Sequence, residues 1–462
     1  MDRLSAERGS PQLLQVPVSL GEARANVLQA FPAWLFRFGD VFTQAGKRVW
    51  AVGGCTRDAL LRRQLADFDC ATDARPEEVI RLFRRVIPTG IEHGTVTVLW
   101  QGQRIEVTSL RAEAGYSNAR HPDAVHFHDD ITADLARRDF TINAIALSLD
   151  SSQELVDPFG GLADLRRGVL RAVGDPLQRF SEDGLRPLRA ARFASQLDFA
   201  VEEATREAMS QTLAALAQVS RERVRDEMLK LLLGRGVAQA LALLEAQGLD
   251  AVIFPSECLP VPAALWDALP DIEARLLACL SRAPVREAAS DALERFRLPK
   301  SMGRLLLDAH GALRALPPAD SGPVRMRTFL ADTGVDAALL AARVVSALGR
   351  AAIDWWDASA LPVEKSRAAS THGMREDTAG GHRLERVTAA QLEAARAGAS
   401  ALSVRELAVG GREVMATLGR PPGPWLSDCL GALLKAVIEA PERNSPAELL
   451  RLADAWSAKR RI

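Results

Sequence analysis

Lysine is scarce in this chain. Only six of its 58 Lys and Arg residues are Lys, and Lys47 is the single lysine among the first 229 residues. No GxxxxGK[ST] loop occurs, which excludes a P-loop that binds phosphate through such a lysine. Any phosphate binding in the N-terminal half must therefore depend on Arg side chains and backbone amides.

Cysteine pairs and long apolar runs are also missing. The five cysteines are scattered and form no CxxC motif, which disfavours a structural zinc site and a disulfide framework. No run of about 18 apolar residues is present, so no membrane span is predicted. The N-terminus lacks the apolar segment of a secretory signal, and we expect a cytoplasmic protein.

Length and composition are those of an ordinary globular protein. The chain has 462 residues, of which 48% are hydrophobic and 25% are charged. This length predicts two to four domains. The net charge of −1 gives by itself no indication of a nucleic-acid partner, and nothing in the sequence defines the oligomeric state.

The first 150 residues combine helical and strand patterns. The spacing predicts helices over Gly21–Phe42, Thr56–Arg63 and Pro76–Val86, and strands over Lys47–Val52, Asp67–Ala71, Thr95–Trp100 and Arg104–Leu110. Beyond residue 162 the strand signals fade, and helices are predicted over Ala190–Phe199, Glu202–Leu216, Arg221–Leu233 and Val237–Gln247. The fold class is therefore α+β, with an all-α C-terminal part.

Two aspartates in the second predicted strand are candidates for a metal site. The period of two places Asp67 and Asp69 on the same face, where their negative charges repel unless a cation lies between them. Glu106, in a later strand, could complete the site. Paired carboxylates that hold a divalent metal are typical of phosphoryl transfer, although a DxD motif alone is also common in surface turns.

A glycine turn before these acids is a candidate phosphate site. Gly53 and Gly54 lie where a predicted strand runs into a helix, so backbone amides can approach a phosphate closely. Arg57 follows one turn later. The order of strand, glycine turn, helix, DxD strand and strand acid is that of a polymerase-β-like nucleotidyltransferase head. Each of these features also has a purely structural explanation: the two glycines could form an ordinary turn, and Arg57 and Glu106 could be solvated surface charges.

Eight segments occur in the order found in one known family. They are GGCTRD (53–58), DFDCAT (67–72), HGTVTV (93–98), EVTSLR (106–111), RRDFTINA (137–144), DPFGG (157–161), EDGLRPLRAARF (182–193) and SRERVRDEMLK (220–230). Together they resemble class II CCA-adding enzymes, which are related to bacterial poly(A) polymerases. The resemblance covers roughly residues 45–235 and continues weakly through residues 402–419.

This resemblance implies a domain order and a reaction. It implies a nucleotidyltransferase head over 24–160 after a flexible N-terminus (1–23), a helical neck over 161–235, a body over 236–345 and a tRNA-binding tail over 346–462. A flexible excursion is predicted near 364–386. The implied enzyme adds CCA to the tRNA 3′ end from CTP and ATP, without a template and with Mg²⁺.

The resemblance also implies residue roles. Asp67 and Asp69 would bind the metal, with Glu106 as the third catalytic acid. The nucleotide-binding set would comprise Gly53, Gly54, Arg57, Arg138, Asp139, Asp183, Arg186, Arg189 and Arg192. Within it, Arg138 and Asp139 would lie near the ribose, and Asp183 and Arg186 would read the base. We expect the RNA to be bound by Arg221, Arg223, Arg225 and Lys230, although a solvated helix face explains these charges equally well.

One departure and three alternatives remain. Pro187 lies inside the expected base-reading helix, where it would kink the turn. Addition of A alone is an alternative product, and the full-length segment Ala112–Ile131 argues only against addition of CC alone. A poly(A) polymerase is less favoured because the Thr89–Val98 stretch resembles the CCA-adding version. A non-catalytic RNA-binding protein would have no reason to keep the acid cluster.

Overall fold

The computed structural model describes residues 16–91, 94–114, 124–253, 266, 268–269, 271–281, 283, 286–358 and 386–459. Residues 1–253 and 254–462 form two compact units. Most of the flexible N-terminus, the central part of the Ala112–Ile131 segment and nearly all of the 364–386 excursion lie outside the described residues, so these expectations stay predictions. Among the described helices, none is long and apolar enough to cross a bilayer.

Two helices open the first unit where a single helix was predicted. They are α1, Leu20–Ala30, and α2, Ala33–Gln44. Pro32 separates them with extended backbone. Proline has no N–H to donate to the preceding turn, so the helix cannot continue through it. The apolar residues kept helical spacing across the break because both helices bury their faces against the same domain.

A seven-stranded sheet forms the core of the head. The strands of the chain are β1 (Val49–Val52), β2 (Phe68–Thr72), β3 (Val86–Gly90), β4 (Thr95–Trp100), β5 (Gln103–Ser109), β6 (Arg111–Ala114), β7 (Ala124–Phe127), β8 (Ala146–Ser148), β9 (Leu155–Val156), β10 (Val169–Leu170) and β11 (Ala200–Val201). The large sheet has the order β3-β4-β5-β2-β1-β8-β9, in which only β2 and β5 pair in parallel. The predicted hairpin is confirmed as β4–β5.

Helices surround this sheet and continue to the end of the first unit, through the segment predicted as the neck (161–235). They are α3 (Gly54–Leu60), α4 (Pro76–Leu82), α5 (Ile131–Ala136), α6 (Gly161–Arg167), α7 (Pro176–Glu182), α8 (Arg186–Leu197), α9 (Glu203–Gln211), α10 (Leu213–Ala217), α11 (Arg221–Leu232), α12 (Val237–Ala246) and α13 (Leu249–Ile253). A 3₁₀ helix, Thr141–Asn143, follows α5. Helix α8 is central to this predicted neck, because both α11 and α12 pack on it.

Helices are the main elements of the second unit, and its described residues contain no named strand. It contains α14 (Ile272–Leu280), α15 (Arg286–Phe296), α16 (Lys300–Ala315), α17 (Pro323–Thr333), α18 (Val335–Ala358), α19 (Ala389–Ala397), α20 (Gly411–Leu418), α21 (Pro424–Glu439) and α22 (Pro446–Lys459). The last three helices share an apolar cluster that includes Val414, Cys429 and Leu449. The mixed head and helical remainder confirm the α+β class.

The start of α6 depends on a glycine. A Cβ on Gly161 would lie 2.2 Å from the carbonyl oxygen of Thr141 and 2.9 Å from Cγ1 of Ile145. The amide of Gly161 also donates to Asp157 at 2.7 Å. This close approach fixes α6 against the 3₁₀ helix at the edge of the candidate site.

We therefore expect Gly161→Ala to destabilise the first unit by roughly 1–3 kcal/mol, because the added methyl group must displace backbone. Gly21→Ala is the matched control, since its Cβ would meet nothing closer than 4.0 Å and alanine favours helix α1. Thermal unfolding followed by circular dichroism measures both. Equal melting temperatures for the two variants would contradict the close-packing argument.

Candidate active site

The two aspartates flank a buried aromatic residue. Phe68, the first residue of β2, is buried, whereas Asp67 and Asp69 are exposed on either side of it. The rings of Phe31 and Trp34 pack edge-on against Phe68, with centroids 5.8 and 5.0 Å away. Strand alternation therefore turns both carboxylates away from α1 and α2, as the sequence pattern predicted.

Glu106 is the direct neighbour of Asp69 across two strands. The parallel pairing of β2 with β5 sets Asp69 opposite Glu106. Although both side chains are exposed on the sheet surface, the surrounding protein removes part of their hydration. This desolvation raises the pKa of Glu106, and the charge of Asp69 raises it further. Desolvation also raises the pKa of Asp69, Arg138 lowers it in part, and Asp67 raises it again. The three acids therefore interact electrostatically, and the sheet holds their like charges together.

The donor set of these acids suits a hard divalent cation. Carboxylate oxygens are the ligands preferred by Mg²⁺ and Mn²⁺. Within the described ranges, no group of three or more Asp, Glu, His or Cys side chains has the spacing of a preformed metal site. The chemistry of the three acids fits such an ion, and their mutual repulsion gives a physical reason to bind one.

Gly53 and Arg138 border the acids. Gly53 has φ of 75°, which favours glycine, and a Cβ there would lie 3.3 Å from Nη1 of Arg138 and 4.0 Å from Oδ2 of Asp69. Nη2 of Arg138 donates to Asp134 at 3.2 Å. Its Nε is buried and has no hydrogen-bond partner in the described part of the chain. The Arg138 guanidinium thus has one N–H without an acceptor among these residues, beside the acid cluster. An anionic group bound there would accept this hydrogen bond.

Arg57 is held inside the first unit. Its guanidinium pairs with Asp58 and donates from Nη1 to Asn143 at 2.8 Å. It also lies 5.1 Å from the ring centroid of Phe193. Nη2 of Arg57 would be 3.8 Å from a Cβ on Gly54, which places the glycine turn and this cation next to one another.

A buried ion network joins the head to the neck. Asp139 accepts from Nε and Nη2 of Arg189 at 2.9 and 2.6 Å, and from Asn143 at 3.1 Å. Glu227 of α11 lies 2.6 Å from Nε of Arg192 and 3.6 Å from Nη1 of Arg189. Although burial opposes ionisation, Arg189 and Asn143 hold the pKa of Asp139 well below its usual range. Burial, reinforced by Arg189, lowers the pKa of Arg192 to about 10.

The predicted base-reading pair spans a helix junction rather than one helix. Asp183 follows α7, and Arg186 is the first residue of α8. Asp183 accepts from Arg223 at 2.9 Å. Arg186 donates to Glu182 at 2.9 Å and to the carbonyls of Arg179 and Arg137. Both members of the pair are thus oriented by neighbouring residues.

The expected kink at Pro187 is wrong. Pro187 lies in the first turn of α8. The first N–H groups of a helix have no partner within it, so a proline costs no hydrogen bond at this position.

Three of the four residues predicted to bind RNA make contacts within the unit. Arg221 donates to the carbonyl of Val252 at 3.1 Å, Arg223 binds Asp183, and Arg225 pairs with Asp226. Lys230 is exposed. These contacts agree with the alternative that the charges form internal ion pairs, and the RNA-binding role stays a prediction.

Three residues of the site were missed in the sequence. Asn143 binds both Arg57 and Asp139, Glu227 binds both neck arginines, and the ring of Phe193 lies 3.8 Å from the guanidinium of Arg192. Each lies in one of the eight motifs. The motifs therefore contained the signal, but an apolar ring or a lone amide carries no recognisable chemistry until its neighbours are known.

Comparisons with known proteins first define a class. Residues 49–171 match the family "Poly A polymerase head domain", and residues 198–257 match "Probable RNA and SrmB-binding site of polymerase A". The chain is thus a nucleotidyltransferase of the polymerase A type, a class that implies the use of a divalent metal ion.

Individual relatives then define the family. A CCA-adding enzyme of Geobacillus sp. (strain WCH70) is 34% identical over 406 residues, which are 87% of this chain and 91% of that protein. A CCA-adding enzyme of Lactobacillus delbrueckii subsp. bulgaricus is 48% identical over 224 residues, 46% of this chain and 56% of that protein. The Bacillus stearothermophilus CCA-adding enzyme, crystallised with CTP, is 30% identical with a TM-score of 0.74, over 93% of this chain and 98% of that one. This chain belongs to the CCA-adding enzyme family.

The Asp139–Arg189 pair gives a prediction for stability. Because the folded-state pKa of Asp139 is lowered, its contribution is present above the unfolded pKa of about 3.9 and is lost as pH falls through the folded pKa. Asp139→Asn should lower the free energy of unfolding at pH 7 by about 3 kcal/mol, since it removes the buried carboxylate that binds two nitrogens of the partly buried Arg189. Asp226→Asn, which breaks the exposed pair with Arg225, should cost less than about 1 kcal/mol.

Urea unfolding at pH 7 and at acid pH measures both effects. The difference between wild type and Asp139→Asn should shrink on acidification below pH 4. A difference that stays constant with pH would show that the carboxylate charge is not the stabilising element.

Proposed function

We propose that this protein adds C and A from CTP and ATP to the 3′ end of tRNA, without a template, and so completes the CCA sequence. The observation that carries the proposal is the juxtaposition of Asp69 and Glu106 beside Gly53 and Arg138, in a chain that aligns with a CCA-adding enzyme over 87% of its length. The reaction joins the tRNA 3′ oxygen to the α-phosphate of the nucleotide. The bond to the bridging oxygen breaks, and pyrophosphate leaves.

Asp67, Asp69 and Glu106 would hold Mg²⁺, which when bound supplies positive charge to the phosphate and to the attacking hydroxyl. The raised pKa values of Asp69 and Glu106 support this assignment, because a cation would remove the repulsion that raises them. Asp67, which precedes Phe68 along the chain, would contribute a further negative charge on the same face as Asp69. Their shared task is to fix the positions of charges before the substrates arrive.

The triphosphate would lie between the glycine turn and the arginines. Gly53 leaves room next to Nη1 of Arg138, and the unpaired Nε of Arg138 offers a donor. These contacts support a phosphate role for Arg138 rather than the ribose role implied by the resemblance. Asp139 is fully engaged by Arg189, Asn143 and the amide of Phe140, so we propose that it positions Arg189 and Arg192 for the nucleotide.

Base selection would depend on Asp183 and Arg186. A carboxylate accepts from an exocyclic amine and a guanidinium donates to ring acceptors, so one pair can suit both cytosine and adenine. In the structure, Arg223 donates a hydrogen bond to Asp183, and Arg186 donates one to Glu182. The incoming base would share these hydrogen bonds or replace them.

Addition of A alone is the second candidate product. The full-length segment Ala112–Ile131 excludes neither product, and we favour full CCA synthesis because the relatives that align with most of the chain are CCA-adding enzymes. We place the protein in the cytoplasm, where tRNA is processed.

Removal of either aspartate should abolish nucleotide incorporation. For Asp67→Ala and Asp69→Ala we expect turnover to fall by several powers of ten, equivalent to about 4 kcal/mol or more, because both groups stabilise charge in the transition state. The fold should survive, since the change relieves repulsion. Asp226→Ala, an exposed acid on α11, is the control and should keep full activity. Single-turnover incorporation of labelled CTP is the measurement, and near wild-type rates for Asp69→Ala would refute the assignment.

The product is tested with tRNA transcripts of defined 3′ ends. With a transcript that ends at the discriminator base and CTP alone, we expect two added cytidines on a sequencing gel. AMP should then be added when ATP is supplied. No incorporation of C, together with efficient addition of AMP to a transcript ending in CC, would establish the A-only alternative.

A further inference from the structure

The sheet face that carries the acids continues past them onto β4 and β3. Pairing of β4 with β5 sets Thr97 opposite Glu106 and Thr95 opposite Thr108, so these residues share one face. The hydroxyls of Thr95 and Thr108 lie 3.0 Å apart, as do those of Thr89 and Thr97. We call Thr89, Thr95, Thr97, Arg104 and Thr108 the threonine face.

The opposite face of the same strands forms the core. Val96, Val98, Ile105 and Val107 are all at most 1% exposed. On the threonine face, by contrast, Thr89 and Arg104 are exposed, and Thr95 and Thr108 are partly exposed. Thr97, which pairs with Glu106, is only 6% exposed. The face therefore presents exposed polar groups on either side of Thr97, from Glu106 on β5 to Thr89 on edge strand β3.

The threonine face has hydroxyl groups that are free to donate hydrogen bonds, and one cationic side chain, Arg104. Two hydroxyls that share a single hydrogen bond leave one O–H per pair free to donate elsewhere. Arg104 is two residues from Glu106 on the same strand face, a separation of about 7 Å. On β3, Ile87 is 39% exposed, which adds an apolar element beside the polar ones. Hydroxyls, a guanidinium and a small apolar contact together match a sugar-phosphate chain with its bases.

We propose that the threonine face, with Ile87, binds the single-stranded 3′ end of the RNA that accepts the nucleotide. The inference rests on the proposed function, because the 3′ hydroxyl of that RNA must reach Asp69 and Glu106. The face is continuous with these acids, and Arg104 offsets their repulsion of the RNA phosphates. From β2 to β3 the sheet spans three strand spacings, about 14 Å, which corresponds to roughly four stacked nucleotides at 3.4 Å each.

A structural role for the same residues makes a different prediction. Threonine favours strands, and cross-strand Thr–Thr pairs stabilise a sheet. If this is their whole role, their replacement changes the melting temperature and leaves RNA binding unaltered. Thr→Val keeps the branched shape and removes only the hydroxyl, and Thr→Ser keeps the hydroxyl.

The test compares two labelled RNA hairpins by fluorescence anisotropy, one with a single-stranded 3′ tail and one with a blunt end. For the double variant Thr95→Val/Thr108→Val and for Arg104→Gln, we expect the Kd of the tailed hairpin to rise about tenfold, as lost hydrogen bonds and charge contacts predict. The Kd of the blunt hairpin should not change. Thr95→Ser/Thr108→Ser should restore tight binding, and Arg166→Gln, an exposed arginine of α6, is the charge control.

Salt dependence provides a second readout. Loss of one phosphate contact should reduce the slope of log K against log salt by about 0.7 in Arg104→Gln and leave it unchanged in Arg166→Gln. Wild-type Kd values and slopes in both threonine-face variants would overturn the inference, even if the enzyme incorporates nucleotides. A wild-type protein that binds the tailed hairpin through this face and adds no nucleotide would instead refute the proposed function.

Discussion

The buried ion pair between Asp139 and Arg189 is the constraint on which the catalytic unit depends. Asp139 belongs to the head, just before the 3₁₀ helix, and Arg189 belongs to α8 of the neck. A buried ion pair gains little net stability, because both charges lose water, but separating the partners is expensive. Separation of Asp139 from Arg189 is therefore the costly change, and the pair keeps α8 beside the 3₁₀ helix.

Three guanidinium groups of the first unit surround one aromatic ring, and each also pairs with a carboxylate. Arg57, Arg189 and Arg192 all lie around the ring of Phe193, at 5.1, 5.5 and 3.8 Å from its centroid. Burial and mutual repulsion make the third guanidinium costly to keep charged, as the lowered pKa of Arg192 shows. The acid cluster, by contrast, raises the pKa values of its own members, since Asp69 interacts unfavourably with both Asp67 and Glu106. A bound cation would remove this repulsion.

The positive charges of the first unit come almost entirely from arginine, and the contacts of these arginines suit that side chain better than lysine. Arg186 binds a carboxylate and two carbonyls at the same time, and Arg189 holds one carboxylate with two nitrogens while approaching a second. A planar guanidinium presents five donors in fixed directions, whereas an ammonium group is a single flexible point charge. A neck built from such multiple contacts needs arginine.

The elements that depend on local spacing follow from the amino-acid pattern alone. Strand alternation placed Asp67 and Asp69 on either side of Phe68, and the β4–β5 hairpin followed from its pattern, because both depend on neighbouring residues. The family resemblance supplied the order of the motifs and pointed to the fold. The helical spacing of Gly21–Phe42, by contrast, hides the break at Pro32. Pro187 does not kink α8 because it lies in the first turn, and the residue at which α8 starts depends on packing that the local sequence does not define.

The pairing of the charged side chains depends on the tertiary fold. Asp69 faces Glu106 because β2 and β5 pair in parallel across 37 residues of sequence, and Arg223 orients Asp183 across a helix junction. Arg57 reaches Asn143 through a fold that no local pattern encodes. The identity of each side chain limits the chemistry that it can carry out. The partner of each of these charged side chains depends on the long-range packing of strands and helices, because the paired residues lie far apart in the sequence.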